Sequence, residues 1–190
     1  MNKFEETIKK NDVKELNILL DGYQYINIPN INGTTLLYKA ILYNKIEIVE
    51  LLLNKGADIN ISNSYSLKDF ESIGNHYIPM HEGIEHMSKY PMDLANSNNK
   101  EIIKLLIKNG ANANFNYKEN GLNGLYKAIL DSDIEYAIFL LNHGANLEKT
   151  NDTYYGNNIE NKNLNQLHKG KSAAELIFNE NNLEIVKQFI

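Results

Sequence analysis

Residues 33–60, GTTLLYKAILYNKIEIVELLLNKGADIN, decide the fold of this 190-residue chain. A glycine opens the stretch, a short apolar segment carries a small residue near its end, a polar turn follows, and a longer apolar segment ends at Gly-Ala. The same plan recurs in altered form at residues 88–114 and 121–147, and a further copy begins at Gly170. This repetition predicts a protein built from one structural unit used several times.

The longer apolar segment of each copy predicts a helix. Ile48, Leu51 and Leu52 recur at i, i+3 and i+4, which places them on one stripe of a helix with polar residues opposite. Gly56 is expected to end that helix in the left-handed conformation, because glycine has no Cβ to clash there. The glycines that close the other copies in the same way are Gly110 and Gly144.

The shorter apolar segment predicts a first helix in each copy. Thr35 is a suitable N-cap because its hydroxyl can accept a hydrogen bond from a free backbone N–H. Ala40 is small enough for a neighbouring helix to approach closely. In the second copy Pro91 lies in the first helical turn, where its missing N–H is not needed. Two short helices cannot bury their apolar faces alone, so stacked copies are expected to share a continuous core.

The first copy resembles a known family. Residues 33–40, GTTLLYKA, resemble the ankyrin signature G-x-T-P-L-H-x-A, and residues 46–60 match that family's second helix and Gly-Ala turn. Leu36 stands at the proline position, Tyr38 stands at the histidine position, and the second copy is one residue short in its inner turn. The resemblance implies an all-α ankyrin-repeat solenoid of about five helix-turn-helix copies, the terminal copies partial, with two inserted loops.

The copies predict the organisation of the chain. We expect a single ankyrin-repeat domain over residues 1–190. The separation of Gly56 and Gly110 exceeds that of Gly110 and Gly144 by about 20 residues, which indicates an insertion between copies. The copies would cover about residues 3–30, 31–61, 88–115, 119–148 and 170–190, and the insertions about residues 62–87 and 149–169. Loops of this length are usually functional or disordered.

Composition argues against several classes of function. The chain has no cysteine, which excludes disulfide and thiolate chemistry. Its net charge is −5 and its 19 basic residues are all lysine, so no basic stripe or arginine fork points to nucleic acid. No stretch reaches the roughly 18 uninterrupted apolar residues of a membrane span, and the amino terminus lacks the apolar core of a secretory signal. We expect a cytoplasmic monomer without a membrane partner.

Only the first insertion offers residues for chemistry. His76, His81 and His86 lie there with two glutamates, and histidine and carboxylate are competent zinc ligands. The spacing from His81 to His86 is not that of H-E-x-x-H, and positions i and i+5 do not share a helix face. A solvated polar loop is the alternative. The sequence places no nucleophile, base and orienting group together, so we expect no enzymatic activity and no cofactor.

Aromatic residues cluster in the insertions and hairpins, among them Phe70, Tyr154 and Tyr155. Tyrosine is enriched in protein interfaces because it offers a large apolar area and a hydroxyl at low entropic cost. Two interpretations stay open. These rings contact a partner, or they hold the insertions against the stacked helices.

The resemblance to ankyrin repeats implies a non-catalytic module that binds a partner protein. The family presents partners with a concave surface of hairpins and first helices, which the inserted loops would border here. The residues expected to contact the partner are Asn32, Thr34, Tyr43, Tyr65, Tyr77, Ser97, Asn98, Phe115, Tyr117, Asn120, Leu122 and Asp131. The alternatives are an immunity-type inhibitor of a basic toxin, a host-directed adaptor, and a metal-dependent enzyme that uses the histidine-bearing insertion.

Overall fold

A computed structural model of the chain describes residues 3–30, 34–61, 90–94, 97–117, 122–149 and 171–179. Contacts divide the chain into two compact parts, residues 1–94 and residues 95–190. We call these parts the N-terminal half and the C-terminal half.

Helices account for the regular structure in both halves. The N-terminal half contains α1 (Lys3–Lys10), α2 (Val13–Leu20), α3 (Leu36–Leu42), α4 (Ile46–Asn54) and a 3-10 helix at Pro91–Leu94. The C-terminal half contains a 3-10 helix at Ser97–Asn99, then α5 (Lys100–Lys108), α6 (Gly124–Leu130), α7 (Ile134–Asn142) and α8 (Ala173–Asn179). The predicted all-α class is confirmed. Within the described ranges, none of these helices has the length and apolarity needed to cross a membrane.

The helices form hairpins that stack within each half. In the N-terminal half α1 pairs with α2 and α3 pairs with α4, while α1 also packs on α3 and α2 on α4. First helices therefore lie against first helices and second helices against second helices. In the C-terminal half α6 pairs with α7, and α8 packs on α6. This stacking supplies the shared core that a single hairpin cannot build.

One stripe of each helix makes the core. Leu16, Ala40, Ile48 and Leu52 are completely inaccessible to solvent, as the apolar spacing predicts. The small side chain of Ala40 lies where α3 meets its neighbours, which agrees with its predicted role. The predicted N-cap is also present, because the Thr35 hydroxyl accepts a hydrogen bond from the Tyr38 N–H at 3.1 Å.

The second helices α4, α5 and α7 end in the same hydrogen-bonded turn. Gly56 has a φ of 88°, its N–H donates to the Leu53 carbonyl at 3.0 Å, and the Ala57 N–H donates to the Leu52 carbonyl at 2.9 Å. This pair of bonds defines a Schellman motif. Gly110 and Gly144 have φ values of 94° and 88° and make the same two bonds. The predicted ends of α4, α5 and α7 are confirmed.

The inner turns of the hairpins use the same motif without glycine. Asn11, Asn44 and Ser132 have φ values of 57°, 53° and 57°. At Asn44, for example, the N–H donates to the Ile41 carbonyl at 2.9 Å, and the next N–H donates to the Ala40 carbonyl at 2.9 Å. Asparagine tolerates this conformation because its short polar side chain can hydrogen-bond locally. Because the chain turns tightly after the first helix and again after the second, short helices can pack closely against one another.

Replacing Gly56 tests the left-handed turn. We expect Gly56→Ala to lower the free energy of unfolding by about 1–2 kcal/mol, the cost of a Cβ in this conformation. Open space surrounds the position, so the cost comes from the backbone and not from a neighbouring side chain. Gly56→Asn is the matched control and should lose less, since Asn44 already adopts this conformation. Equal losses for the two variants in a urea titration would contradict this explanation.

The second copy departs from the expected first helix. Residues 91–94 form a 3-10 helix, although the position of Pro91 predicts the start of an α-helix. This copy has one residue fewer between Ala95 and Ile102 than the other copies have between the corresponding positions, for example between Ala40 and Ile48. A 3-10 helix rises about 2.0 Å per residue, compared with 1.5 Å in an α-helix. The 3-10 helix at Ser97–Asn99 lies inside the shortened segment, so its larger rise per residue helps fewer residues span the turn.

Candidate partner-binding surface

Several of the expected contact residues lie at the ends of first helices or in the 3-10 helix before α5. Tyr43 is half-buried at the end of α3, Asn98 is exposed in the 3-10 helix before α5, and Asp131 is exposed at the end of α6. Ser97 belongs to the same 3-10 helix as Asn98. The expected contact residues outside the described residues are Asn32, Tyr65, Tyr77 and Asn120.

Four of the expected contact residues are buried instead of exposed, which corrects the sequence-based view of their surroundings. Phe115, Tyr117 and Leu122 are 7%, 1% and 1% exposed. The Tyr117 N–H donates to the Leu122 carbonyl at 2.9 Å, and the rings of Phe115 and Tyr117 meet edge to face with centroids 5.2 Å apart. Thr34 is buried as well, and both its N–H and its hydroxyl donate to Asn30 Oδ1 at 3.1 Å. In this structure these side chains stabilise the hairpin segments.

The candidate zinc residues His76, His81 and His86 lie outside the described residues, as do Phe70, Tyr154 and Tyr155. Within the ranges that are described, no group of three or more histidine, cysteine, aspartate or glutamate side chains is arranged to hold a metal ion.

A charged cluster joins the first helices of the N-terminal half. Glu5 of α1 accepts a hydrogen bond from Lys39 Nζ at 2.6 Å through Oε2. Its other oxygen, Oε1, accepts from the Tyr43 hydroxyl at 2.9 Å and pairs with Lys9 Nζ at 3.1 Å. The Lys9 ammonium also lies 5.1 Å from the centroid of the Tyr43 ring. We call Glu5, Lys9, Lys39 and Tyr43 the Glu5 cluster.

The electrostatics of the Glu5 cluster favour an ionised carboxylate. The hydrogen bond from Lys39 lowers the pKa of Glu5 from its ordinary 4.5 to about 2, and burial opposes this only in part. Burial, and then the bond to Glu5, raises the pKa of the Tyr43 hydroxyl. The sequence analysis missed Glu5. A usable signal was Lys39, a lysine inside an apolar helix, because a buried ammonium requires a charged partner.

The lowered pKa predicts how stability depends on pH. Because folding depresses the pKa of Glu5, its contribution is complete above the unfolded value of 4.5 and is lost as pH falls through about 2. We expect the difference in unfolding free energy between the wild type and Glu5→Gln to be constant above about pH 5.5, where an unperturbed glutamate is almost fully ionised, and to shrink steadily below it. Urea titrations of both proteins across this range measure the difference. A difference independent of pH would contradict the assignment.

A second set of charges joins the second helices of the C-terminal half. Lys100 of α5 pairs with Asp133 at the start of α7 at 2.7 Å. The Lys100 and Lys104 ammonium groups lie 5.4 Å and 5.8 Å from the centroid of the Tyr136 ring. Burial raises the pKa of Tyr136 to about 12. These contacts hold α5 against α7.

Asparagine side chains link consecutive hairpin segments in both halves. Asn27 donates through Nδ2 to the Gly56 carbonyl at 3.0 Å and accepts from the Asp58 N–H at 2.7 Å. Asn114 donates to the Gly144 carbonyl at 3.0 Å and accepts from the Asn146 N–H at 2.6 Å. One amide thus satisfies a donor and an acceptor of the next turn. These bonds therefore hold each pair of consecutive hairpin segments in register.

Comparison with known proteins agrees with this architecture. A family model described as ankyrin repeats in many copies matches residues 19–68. The putative ankyrin repeat protein FPV222 of fowlpox virus (strain NVSL) is 34% identical over 132 residues, which covers 63% of this chain and 18% of that protein. The putative ankyrin repeat protein FPV034 of the same virus is 34% identical over 150 residues, which covers 79% of this chain and 30% of that protein. This chain is therefore similar to a minor part of each viral protein.

A shorter relative is matched over most of its length. The Notch-regulated ankyrin repeat-containing protein A of Danio rerio is 32% identical over 80 residues, which covers 38% of this chain and 70% of that protein. This match agrees with the stacked hairpins and with the Gly-Ala turns at Gly56, Gly110 and Gly144. The chain belongs to the ankyrin-repeat family.

Proposed function

We propose that this chain is a non-catalytic module that binds a partner protein through the face formed by its first helices and hairpin segments. Ankyrin repeats are generally protein–protein interaction modules. The inserted loops, residues 62–87 and 149–169, would border this face. Recognition of the partner depends on which side chains this face presents.

One observation supports this proposal most directly. Residues 37–42 of α3 and residues 125–130 of α6 have the same sequence, LYKAIL, and their Leu-Tyr and Ala-Ile pairs are buried in both helices. The next residue, at the accessible end of the helix, changes from Tyr43 to Asp131. The two copies thus keep their interior and differ at the surface, which is the pattern expected when the surface selects a partner.

Affinity capture followed by surface variants tests the proposed face. The chain would be used as bait in a lysate of its source, and a captured protein would then be measured by calorimetry against purified variants. We expect Tyr43→Ala and Asp131→Ala to weaken binding. Asn17→Ala and Glu50→Ala, exposed on the second helices, are matched controls and should bind like the wild type. Binding that is lost in the controls and kept in the first two variants would overturn the proposal.

Deleting residues 62–87 tests the first insertion. We expect the repeats to remain folded, because a loop that leaves and re-enters at one edge adds little closure entropy per residue. Binding of the captured protein should fall sharply, because tyrosine anchors such as Tyr65 and Tyr77 tend to dominate interface energies. Unfolding followed by circular dichroism measures the first outcome and calorimetry the second. Stoichiometric zinc in the undeleted chain, lost with the deletion, would support the metal alternative instead.

A further inference from the structure

Helix α2 differs from the other second helices in the sign of the charges at its two ends. At the second position of the helix α2 has Lys14, whereas α4, α5 and α7 have a glutamate. At the residue that caps the carboxyl end α2 has Asp21, whereas the other three have a lysine, an asparagine and a histidine. These counterparts are Glu47, Glu101 and Glu135 at the second position, and Lys55, Asn109 and His143 at the cap.

The charges of α2 oppose the dipole of their own helix. A helix carries a partial positive charge at its amino end and a partial negative charge at its carboxyl end. Lys14 and Asp21 therefore each lie beside the pole of their own sign. Within the described ranges, neither side chain makes an ion pair or a hydrogen bond that would offset this effect. A local conflict of this kind indicates that the two charges serve an interaction outside the helix.

An exposed apolar side chain lies between these charges. Ile18 is 73% exposed, whereas the residues at the same position of α4, α5 and α7 are half-buried. Ile18 follows Lys14 by four residues and precedes Asp21 by three, so the three side chains share one face of the helix. Asn17, which is uncharged, is also exposed on this face. We call Lys14, Asn17, Ile18 and Asp21 the α2 face.

The α2 face is complementary to itself. Lys14 and Asp21 are equally distant in sequence from the point between Asn17 and Ile18, so the two charges lie symmetrically about the centre of the face. If two copies of α2 pack antiparallel about a twofold axis at this centre, Lys14 of each copy lies opposite Asp21 of the other. The two Ile18 side chains then lie close to the axis. A twofold interface requires such a pattern, because the same surface patch serves both copies.

We propose that the α2 face binds a second copy of this chain through antiparallel packing of the two α2 helices. Two ion pairs between Lys14 and Asp21 flank the Ile18 side chains, whose contact removes apolar area from water. Two eight-residue helices bury less than the roughly 1,200 Å² of a stable complex, so the dimer is weak and forms at high concentration. Such a dimer differs from the monomer expected from the sequence. It uses a second helix and so goes beyond the partner binding proposed for the first helices.

Charge reversals test the two ion pairs. Lys14→Asp and Asp21→Lys each replace two attractive pairs by two repulsive ones, so each should raise the Kd of the dimer by about fivefold or more. The double variant Lys14→Asp/Asp21→Lys restores both pairs with their partners exchanged and should dimerise like the wild type. An equimolar mixture of the two single variants should also associate, because one has only aspartate and the other only lysine at these positions. Sedimentation equilibrium from micromolar to millimolar concentration measures each Kd.

Further variants separate these pairs from net charge and from folding. Lys14→Asp makes the chain more acidic and Asp21→Lys makes it less acidic, so an effect of net charge would change the two Kd values in opposite directions. Lys108→Asp, at an exposed position in the last turn of α5, is the matched control and should dimerise like the wild type. Ile18→Ser should weaken the dimer of the wild type and of the double variant alike. Both reversals on α2 agree with the helix dipole, so circular dichroism should show folded proteins.

The location of the interface gives an independent test. On dilution, the concentration-dependent amide shifts in ¹H–¹⁵N NMR spectra should lie in residues 13–21. A chain that stays monomeric up to millimolar concentration would overturn the inference, as would a double variant that associates no better than the single variants. If the α2 variants instead weaken the binding of a captured protein to a monomer, the α2 face serves that partner and the self-association is wrong. The proposed function is tested separately, because Tyr43 and Asp131 lie at the ends of first helices.

Discussion

Leu52→Ala is expected to lower the free energy of unfolding by about 2–5 kcal/mol, the range measured for leucine truncations in well-packed cores. Leu52 is completely inaccessible to solvent in α4. That helix packs on both α3 and α2, so a cavity at this position would face two neighbouring helices. The neighbours belong to separate hairpins and can fill the space only in part. Guanidinium titration followed by circular dichroism measures the loss.

Glu50→Ala is the matched control for Leu52→Ala. Glu50 belongs to the same helix but is exposed, and substitutions at such surface positions usually change stability by less than about 0.5 kcal/mol. An equally small change in the free energy of unfolding for Leu52→Ala would show that the Leu52 side chain does not lie in the core. The assignment of the apolar stripe of α4 would then be wrong.

Gly124→Ala is expected to lower the free energy of unfolding by about 1–3 kcal/mol, because it overpacks a buried contact. A Cβ at Gly124 would lie 2.3 Å from Cζ of Phe115 and 2.6 Å from its Cε1. The Phe115 ring is 7% exposed and rests edge to face on Tyr117, so it cannot move away without losing these contacts. The loss should appear although alanine is normally the better helix former.

A double-mutant cycle with Phe115→Leu isolates this contact. Gly124→Ala should cost less in the Phe115→Leu background, because leucine places fewer atoms against the new methyl group. Residues in direct contact show such non-additivity, whereas distant residues do not. Thermal unfolding of the four proteins gives the coupling. A cost that is unchanged by Phe115→Leu would show that the ring is not the obstacle.

The helices and their ends could be predicted from the sequence because they depend on nearby residues. The spacing of the apolar residues predicted the buried stripe of α4, in which Ile48 and Leu52 lie in the core while Leu51 is only half-buried. The conformational freedom of Gly56 ends the helix. Thr35 caps α3 through a bond to an N–H three residues later. Each of these effects acts within one or two turns of a helix, so a single chain segment contains the information.

The start of α8 could also have been predicted from the sequence, because a capping signal precedes it. Ser172 and Glu175 form a capping box at α8, in which the Ser172 hydroxyl accepts from the Glu175 N–H at 3.3 Å and Glu175 Oε2 accepts from the Ser172 N–H at 3.1 Å. The pattern S-x-x-E before an apolar run is readable in the sequence. This pattern therefore indicates where α8 begins, although the rest of this copy matches the repeat pattern poorly.

The burial of Phe115 and Tyr117 could not be predicted in the same way. An aromatic residue in a hairpin is compatible with an exposed anchor and with a packed interior, since both use its large apolar area. The outcome depends on Gly124, nine residues later, whose missing side chain leaves room for the Phe115 ring. It also depends on the bond from the Gly124 N–H to the Phe115 carbonyl at 3.0 Å. Such pairings form only when the segment is folded.

The two LYKAIL segments separate what the sequence by itself determined from what the tertiary structure decided. The sequence determined that both segments are short helices with a buried stripe, because helix formation and capping depend on residues within a few positions. Only the tertiary structure decided how the lysine of the first segment, Lys39, is neutralised. Lys127 finds Asp131 four residues away, whereas Lys39 is neutralised by Glu5, which is 34 residues distant and arrives through the packing of α1 on α3. Charges act through space, so identical segments acquire different surfaces when the fold places different neighbours beside them.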